Sequence, residues 1–247
     1  MDDVFLKEGE GLDDLQLNSL HIIQKNDGFR YGSDAVLLSD YVKVPAGARV
    51  ADLGTGTGII PLLLSAKTKA EKITGIEIQP EMAEMAKRSV ELNQLQDRIE
   101  IVQGNFLDAV SWFGNGSFDA IVTNPPYTKP GGGLVNPQDS KAISRHEIHC
   151  TLDQLIAVSS KLLKHHGRFF MIHRPERLVD IFYAMRSHRV EPKSIRLVHP
   201  SMGKPANLVL IYGLKNGNTQ VTVEEPLFLY NSGIKVAMLN RGEEHGD

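Results

Sequence analysis

The sequence predicts an α/β protein built on one mostly parallel, doubly wound sheet with helices on both faces. Three observations carry that reading. From Arg49 onward, short strand-like runs alternate with helical stretches. Those runs are short and apolar, as fits strands covered on both faces. The 247 residues, 41% hydrophobic and 23% charged, are enough for one large α/β domain or two small ones.

Before that alternation, Leu20, Ile22 and Gln24 mark a strand, and Asn26-Asp27-Gly28 reads as a hairpin-type turn because these residues tolerate positive φ. Ser33 or Asp34 is placed to cap a short helix carrying Val36, Leu37, Leu38 and Tyr41. Pro45-Ala46-Gly47 breaks the chain. The first core strand is expected at Arg49–Leu53, followed by a Gly-rich turn and a helix over Ile59–Lys67. Lys72–Ile78 is the next strand, and Pro80 opens a helix to about Asn93 as a favourable first-turn proline. Strands follow at Arg98–Gln103 and Phe118–Thr123, then a helix over Leu152–Leu163 and a strand over Arg168–His173. Pro175 opens a helix to about His188, and Ser194–His199 with Asn207–Leu214 form a closing antiparallel pair. This divides the chain into an N-terminal extension (1–48), a core (49–215) and a C-terminal tail (216–247).

Composition narrows the class. No window approaches the ~18 consecutive apolar residues of a membrane span. The acidic opening MDDVFLKEGEGLDD lacks the apolar core of a signal peptide. One cysteine, Cys150, excludes an internal disulfide and fits a reducing cytosol. A cytoplasmic protein is the expectation. The net charge of −3 hides an asymmetry: residues 161–215 carry 11 Lys/Arg against three acids, while the rest carries 16 against 27. Clustered positive charge of this kind can steer a polyanion.

Three strand ends carry the ligand signals. In Ala51-Asp52-Leu53-Gly54-Thr55-Gly56-Thr57-Gly58, glycines at a strand-to-helix junction allow a sharp turn and close approach of a ligand. Their spacing is G-x-G-x-G, not the G-x-G-x-x-G of dinucleotide dehydrogenases, and Asp52 would attract a cationic ligand rather than a pyrophosphate. Glu77 ends the second strand, where an acid accepts both hydrogen bonds of a ribose diol. Asn105 and Phe106 follow the third, an amide to read an adenine edge beside a ring to cover its face. Together they describe a nucleoside with ribose and adenine but no cradle for phosphates.

ADLGTGTG, GIEIQPEMAEMAKRSVELN, IEIVQGNF and IVTNPPY, in that order, resemble the motifs of class I S-adenosylmethionine-dependent methyltransferases over roughly Ser33–Tyr212. The resemblance implies a Rossmann-like sheet of seven strands, the C-terminal one antiparallel, and S-adenosyl-L-methionine as cofactor. By matching position, Asp52, Gly54 and Gly56 would surround its amino-acid part and Glu77 its ribose. Tyr31, Asp34, Ile78, Asn105, Phe106 and Asn124 are the further positions implied to contact it. Asn105 stands where many relatives carry Asp.

Asn124-Pro125-Pro126-Tyr127 ends the fourth strand and is the implied catalytic group. In the resembled family this motif binds a planar amino or amide nitrogen. Such a nitrogen is a poor nucleophile because its lone pair is delocalised. Acceptance of its hydrogens by the Asn124 side chain and the Pro125 carbonyl localises that pair, and the consecutive prolines fix the carbonyl's angle. Tyr127 offers a ring for stacking a flipped-out base, worth ~1–3 kcal/mol.

The flanks narrow the acceptor. IIQKNDGFRYGSDAVLLSDYV and GKPANLVLIYGLKNG resemble the corresponding parts of bacterial tRNA adenine-N6 methyltransferases, which modify the adenine next to the anticodon of a valine tRNA. An RNA substrate, most simply tRNA, is thereby implied, with residues 161–215 as the RNA-facing surface. A glutamine amide in a release factor, guanine N2 in ribosomal RNA and, last, a non-catalytic S-adenosylmethionine-binding module are the alternatives. Release-factor enzymes usually carry an extra N-terminal helical domain, for which the residues before the first core strand leave no room.

The loop Thr128–Ser140 is Gly-rich and suited either to ordering over substrate or to a plain surface loop. Arg145-His146-Glu147-Ile148-His149-Cys150 lacks a second ligand group at metal-site spacing, so no metal is expected. Trp112 and Phe113 read as core or local packing.

Overall fold

The computed structural model describes residues 5–27, 32–127, 150–231 and 234–235. A hairpin comes first: β1 (Glu10–Asp14) pairs antiparallel with β2 (His21–Lys25). The sequence reading did not anticipate β1, whose acidic EGLDD lacks an apolar pattern. Its connection is not Asn26-Asp27-Gly28. Residues 15–20 make the turn, with Gln16, Asn18 and Ser19 at positive φ. Asn26 instead closes the open end, its backbone N–H donating to the Gly9 carbonyl at 2.9 Å. Helix α1 (Ser33–Tyr41) follows with Gly32 at its N-cap and no side-chain cap, so Ser33 and Asp34 lie inside the first turn.

The core then alternates as expected: β3 (Arg49–Leu53), α2 (Ile59–Lys67), β4 (Lys72–Glu77), α3 (Pro80–Leu92), β5 (Ile99–Gln103), α4 (Ala109–Phe113) and β6 (Phe118–Thr123). After residue 150 come α5 (Leu152–Leu162), β7 (Leu163–His173), α6 (Leu178–Ser187), β8 (Val190–Ser201) and β9 (Leu208–Lys215). The sheet order β5-β4-β3-β6-β7-β9-β8 supplies the seven expected strands, with β9 antiparallel to both neighbours. Three short strands, β10 (Thr222–Val223), β11 (Leu227–Asn231) and β12 (Ile234–Lys235), extend it to ten. β10 and β11 pair parallel with β8, so part of the expected tail continues the sheet.

Strand alternation divides the core in two. Val50, Val122, Phe170, Ile172 and Leu210 join a cluster with α1, α2 and α3. Ala51, Ile121, Phe169, Met171 and Ile211, one residue out of phase, join the opposite cluster with α4, α5 and α6. No helix among the described residues is long and apolar enough to cross a membrane.

Parallel register brings the carboxyl ends of β3, β4, β5 and β6 to one edge. Asp52 lies opposite Gly75 on one side and Val122 on the other, and Glu77 opposite Gln103. Thr123 Oγ1 donates to the Leu53 carbonyl at 2.9 Å, tying the tip of β6 to that of β3.

Candidate functional site

Asp52 is fully buried, and neither carboxylate oxygen has a hydrogen-bond partner. Burial pushes its pKa up to about 7. The nearby Glu77 charge adds to the rise, and the Thr55 hydroxyl opposes it without closing a geometrically good hydrogen bond. A buried acid without a partner is costly in the protein alone and waits for a donor. Beyond it, Gly54 and Gly56 take φ of +81° and +58°, which side chains other than glycine rarely adopt. A Cβ built on either would meet nothing within 4 Å, so the turn opens onto free space.

Glu77, also buried, holds that turn in shape. Its Oε2 accepts from the Gly56 N–H at 2.8 Å and its Oε1 from the Gln79 N–H at 2.9 Å. The residue read as a ribose acceptor is therefore first a clasp on the glycine turn. Each oxygen keeps lone-pair capacity for a ligand. Ile78, half-buried, follows directly.

Asn105 caps a 3₁₀ turn, Phe106–Asp108, its Oδ1 accepting from the Leu107 N–H at 3.0 Å. That leaves the amide nitrogen as donor for a ligand edge. Phe106 packs partly into the second core cluster. Between β5 and Asn105, Gly104 has no room for a side chain, because a Cβ would lie 2.5 Å from the Trp112 ring. Trp112 on α4 thus sets the path of this strand end.

At the tip of β6, the Tyr127 hydroxyl lies 2.7 Å from Asp34 Oδ2 and 2.8 Å from Asn124 Oδ1. A phenol has one hydrogen for two acceptors. Turning the Asn124 amide by half a revolution, which leaves its outline unchanged, makes Nδ2 the donor to Tyr127. Tyr127 then donates to Asp34, and Asn124 Oδ1 is freed from this contact. Desolvation, reinforced by the Asp34 charge, drives the phenol pKa up, so the hydroxyl keeps its proton. Asp34, read as a cofactor residue, is here tied to the Asn-Pro-Pro-Tyr motif.

Two neighbours were not foreseen. His173, the last residue of β7, is buried with its ring edge-on to Tyr127, the centroids 5.2 Å apart. Its Nδ1 accepts from the Arg174 N–H at 2.8 Å, and burial lowers its pKa to about 4. The imidazole is therefore neutral. The Arg174 guanidinium lies over the Tyr127 ring, 5.0 Å from its centroid. The ring expected to stack on a base thus already carries a cation. Only the end of β7 against Tyr127 reveals these residues, and no local motif marks them. Tyr31, residues 128–140 and the Arg145–His149 cluster fall outside the described residues. Cys150 is described as a free thiol, pushed up to about 11 by burial.

The residues present fit S-adenosylmethionine: an orphaned buried carboxylate for a cationic group, open space over two glycines, and an acid and an amide on successive strand ends. A family model described as the methyltransferase small domain matches residues 20–181. The chain is similar to a tRNA1(Val) (adenine(37)-N6)-methyltransferase of Porphyromonas gingivalis, 37% identical over 175 residues, 68% of each chain. It is 28% identical to a protein of the same name from Tolumonas auensis over 218 residues, 85% of each. Among solved structures, one described as a "predicted O-methyltransferase" from Agrobacterium tumefaciens superposes with a TM-score of 0.66 at 28% identity, covering 81% of this chain and 89% of that one.

Proposed function

Because the chain belongs to the methyltransferase small domain family, we propose that it methylates the exocyclic N6 of an adenine in tRNA, with S-adenosylmethionine as donor. The observation that carries this reading is Asn124 at the tip of β6, one strand from the orphaned Asp52. An amine-binding amide and a cation-binding acid thus share one sheet edge. The names of its relatives agree on the acceptor.

Bound S-adenosylmethionine supplies an electrophilic methyl group on a sulfonium that leaves as a neutral thioether. The chain's own residues bind and orient. Asp52 meets the ammonium end, Gly54 and Gly56 admit the backbone approach, and Glu77 accepts from the ribose while clasping the turn. Asn105, Ile78 and Phe106 surround the adenine. Asn124 Oδ1 and the Pro125 carbonyl accept the two hydrogens of the acceptor amine, which localises its lone pair. Both acceptors act strongest where water is excluded. Tyr127 and Asp34 hold the Asn124 amide in the orientation that presents its oxygen. Methyl transfer to nitrogen leaves a cationic product that loses its proton readily, so no dedicated base is required.

Labelled S-adenosylmethionine, offered separately with unmodified tRNA, ribosomal RNA and a release factor, tests the acceptor. N6-methyladenosine from tRNA is the expected product, and N5-methylglutamine would overturn the reading. Asn124→Ala is expected to lower kcat by about 10²-fold or more, with cofactor affinity nearly unchanged. Loss of cofactor binding with turnover retained would remove Asn124 from this role.

A further inference from the structure

Most of the positive charge of residues 161–215 is engaged within the fold. Lys164, Arg177 and Arg186 are paired with Asp119, Asp180 and Glu191. Arg168, Lys193, Arg196 and Lys215 donate to backbone carbonyls. Within the cavity beside the catalytic motif, Lys204 carries no such side-chain tie among the described residues.

That cavity, of about 740 Å³, lies at the same sheet edge as Asn124. It is lined by Tyr127, by Arg174 and Arg177 after β7, and by Lys204, Pro205 and Asn207 between β8 and β9. Its volume is within the usual range for a small-molecule or nucleotide-sized ligand, roughly 300–1,000 Å³. The walls combine three cations with apolar Pro200, Pro205 and Ala206, and Glu176 is the acid among them. Arg177 spends its Nε on Asp180, which leaves the outer edge of the guanidinium for a ligand. Asn207 Oδ1 is buried without a hydrogen-bond partner. The turn Ser201–Lys204, closed by the Lys204 N–H to the Ser201 carbonyl at 3.1 Å, points an exposed lysine at this mouth.

We propose that this cavity seats the ribose–phosphate of the RNA nucleotide that flanks the acceptor adenine. Lys204 and Arg177 meet the phosphodiester, and Asn207 accepts from a ribose hydroxyl. Arg174 bridges the two sites: it covers the Tyr127 ring and donates Nη1 to the Asn207 carbonyl at 3.0 Å. The assignment rests on the tRNA reading above. Under it, the K-P-A turn holds the backbone while the adenine is turned toward Asn124.

Lys204→Ala and Lys204→Glu test it in the full chain, because the side chain is exposed and neither change should unfold the protein. Binding of unmodified tRNA is measured against salt, with methylation kinetics alongside. Lys204→Ala is expected to reduce the slope of log affinity against log salt by about one, and Lys204→Glu to raise the KM for tRNA about tenfold. The loss falls on KM, and affinity for S-adenosylmethionine holds. Lys87→Glu on α3 makes the same charge change outside the cavity and is expected to leave the slope as it was. A wild type that methylates tRNA beside Lys204 variants with unaltered KM and slope overturns the cavity's role. A wild type that leaves tRNA unmethylated overturns the acceptor reading, and the occupant proposed here with it.

Discussion

Asp52 places a carboxylate where neither water nor a protein donor reaches it. Its raised pKa means the folded apo chain holds this proton at pH values where the unfolded chain has released it. The stability linked to Asp52 is fully present below about pH 4 and is lost as pH rises to about 7. Asp52→Asn removes the titration. The variant should therefore gain thermal stability over wild type as pH rises from about 4 to 7, by up to about 4 kcal/mol. Cofactor affinity should move the other way. In the proposed arrangement a cationic ligand favours the ionised acid, so wild-type affinity climbs with pH to about 7. The Asn variant binds at least about tenfold more weakly and with a flat profile. Calorimetric titration across pH reads both slopes, and a variant that keeps the wild-type slope would assign the proton elsewhere.

The hairpin of β1 and β2 depends on α3. Ser89 Oγ accepts from the Ile23 N–H at 3.0 Å, and four residues on, Asn93 accepts from and donates to the backbone of His21. Ser89 and Asn93 therefore present one helix face to the free edge of β2. Arg88 completes the attachment with bonds to both Glu10 oxygens, to Glu84 and to the Phe5 carbonyl. Its guanidinium holds the Glu10 and Glu84 carboxyls below their ordinary range. Arg88→Met leaves Glu10 nearly buried without its cation and should cost about 3 kcal/mol in urea unfolding at pH 7. That deficit should shrink as pH falls from 7 through the lowered carboxyl pKa values, because protonation removes the charges that Arg88 stabilises. An equal deficit across that range would show that the apolar stem, not the charge, holds the hairpin. This attachment explains why β1 escaped sequence reading. Its acids are strand residues because a partner 78 positions away neutralises one of them.

Across the sheet, β3, β4 and β5, which carry the proposed cofactor residues, and the C-terminal extension sit at opposite ends. β11 covers β8 and buries Leu229, and Glu224 accepts from the Tyr41 hydroxyl at 3.0 Å. Ending the chain after Gly217 strips these strands and leaves the twelve-residue β8 as an open edge. Such a truncation should lose at least about 3 kcal/mol of stability and associate at raised concentration, as read by thermal melts and light scattering. Cofactor affinity per folded molecule should survive, since every strand end assigned to it is retained. A truncated chain that stays monomeric with an unchanged melting point would show that β11 contributes no cover.

What the sequence determined by itself was local and short-ranged. Glycines at a strand-to-helix junction, an acid at one strand tip and Asn-Pro-Pro-Tyr at another are legible because backbone turns and hydrogen-bonding types are properties of adjacent residues. The strand–helix alternation was legible for the same reason, since period and apolarity need no partner. Tertiary structure decided what depends on distance in space. It turned Glu77 into a clasp on Gly56, tied Tyr127 to Asp34, set His173 and Arg174 against the Tyr127 ring and paired the acidic β1 with α3. It also dispersed a run of positive charge into ion pairs and carbonyl contacts, leaving Lys204 untied at the cavity mouth. Charge and burial are sums over neighbours, and those neighbours exist only once the chain has folded.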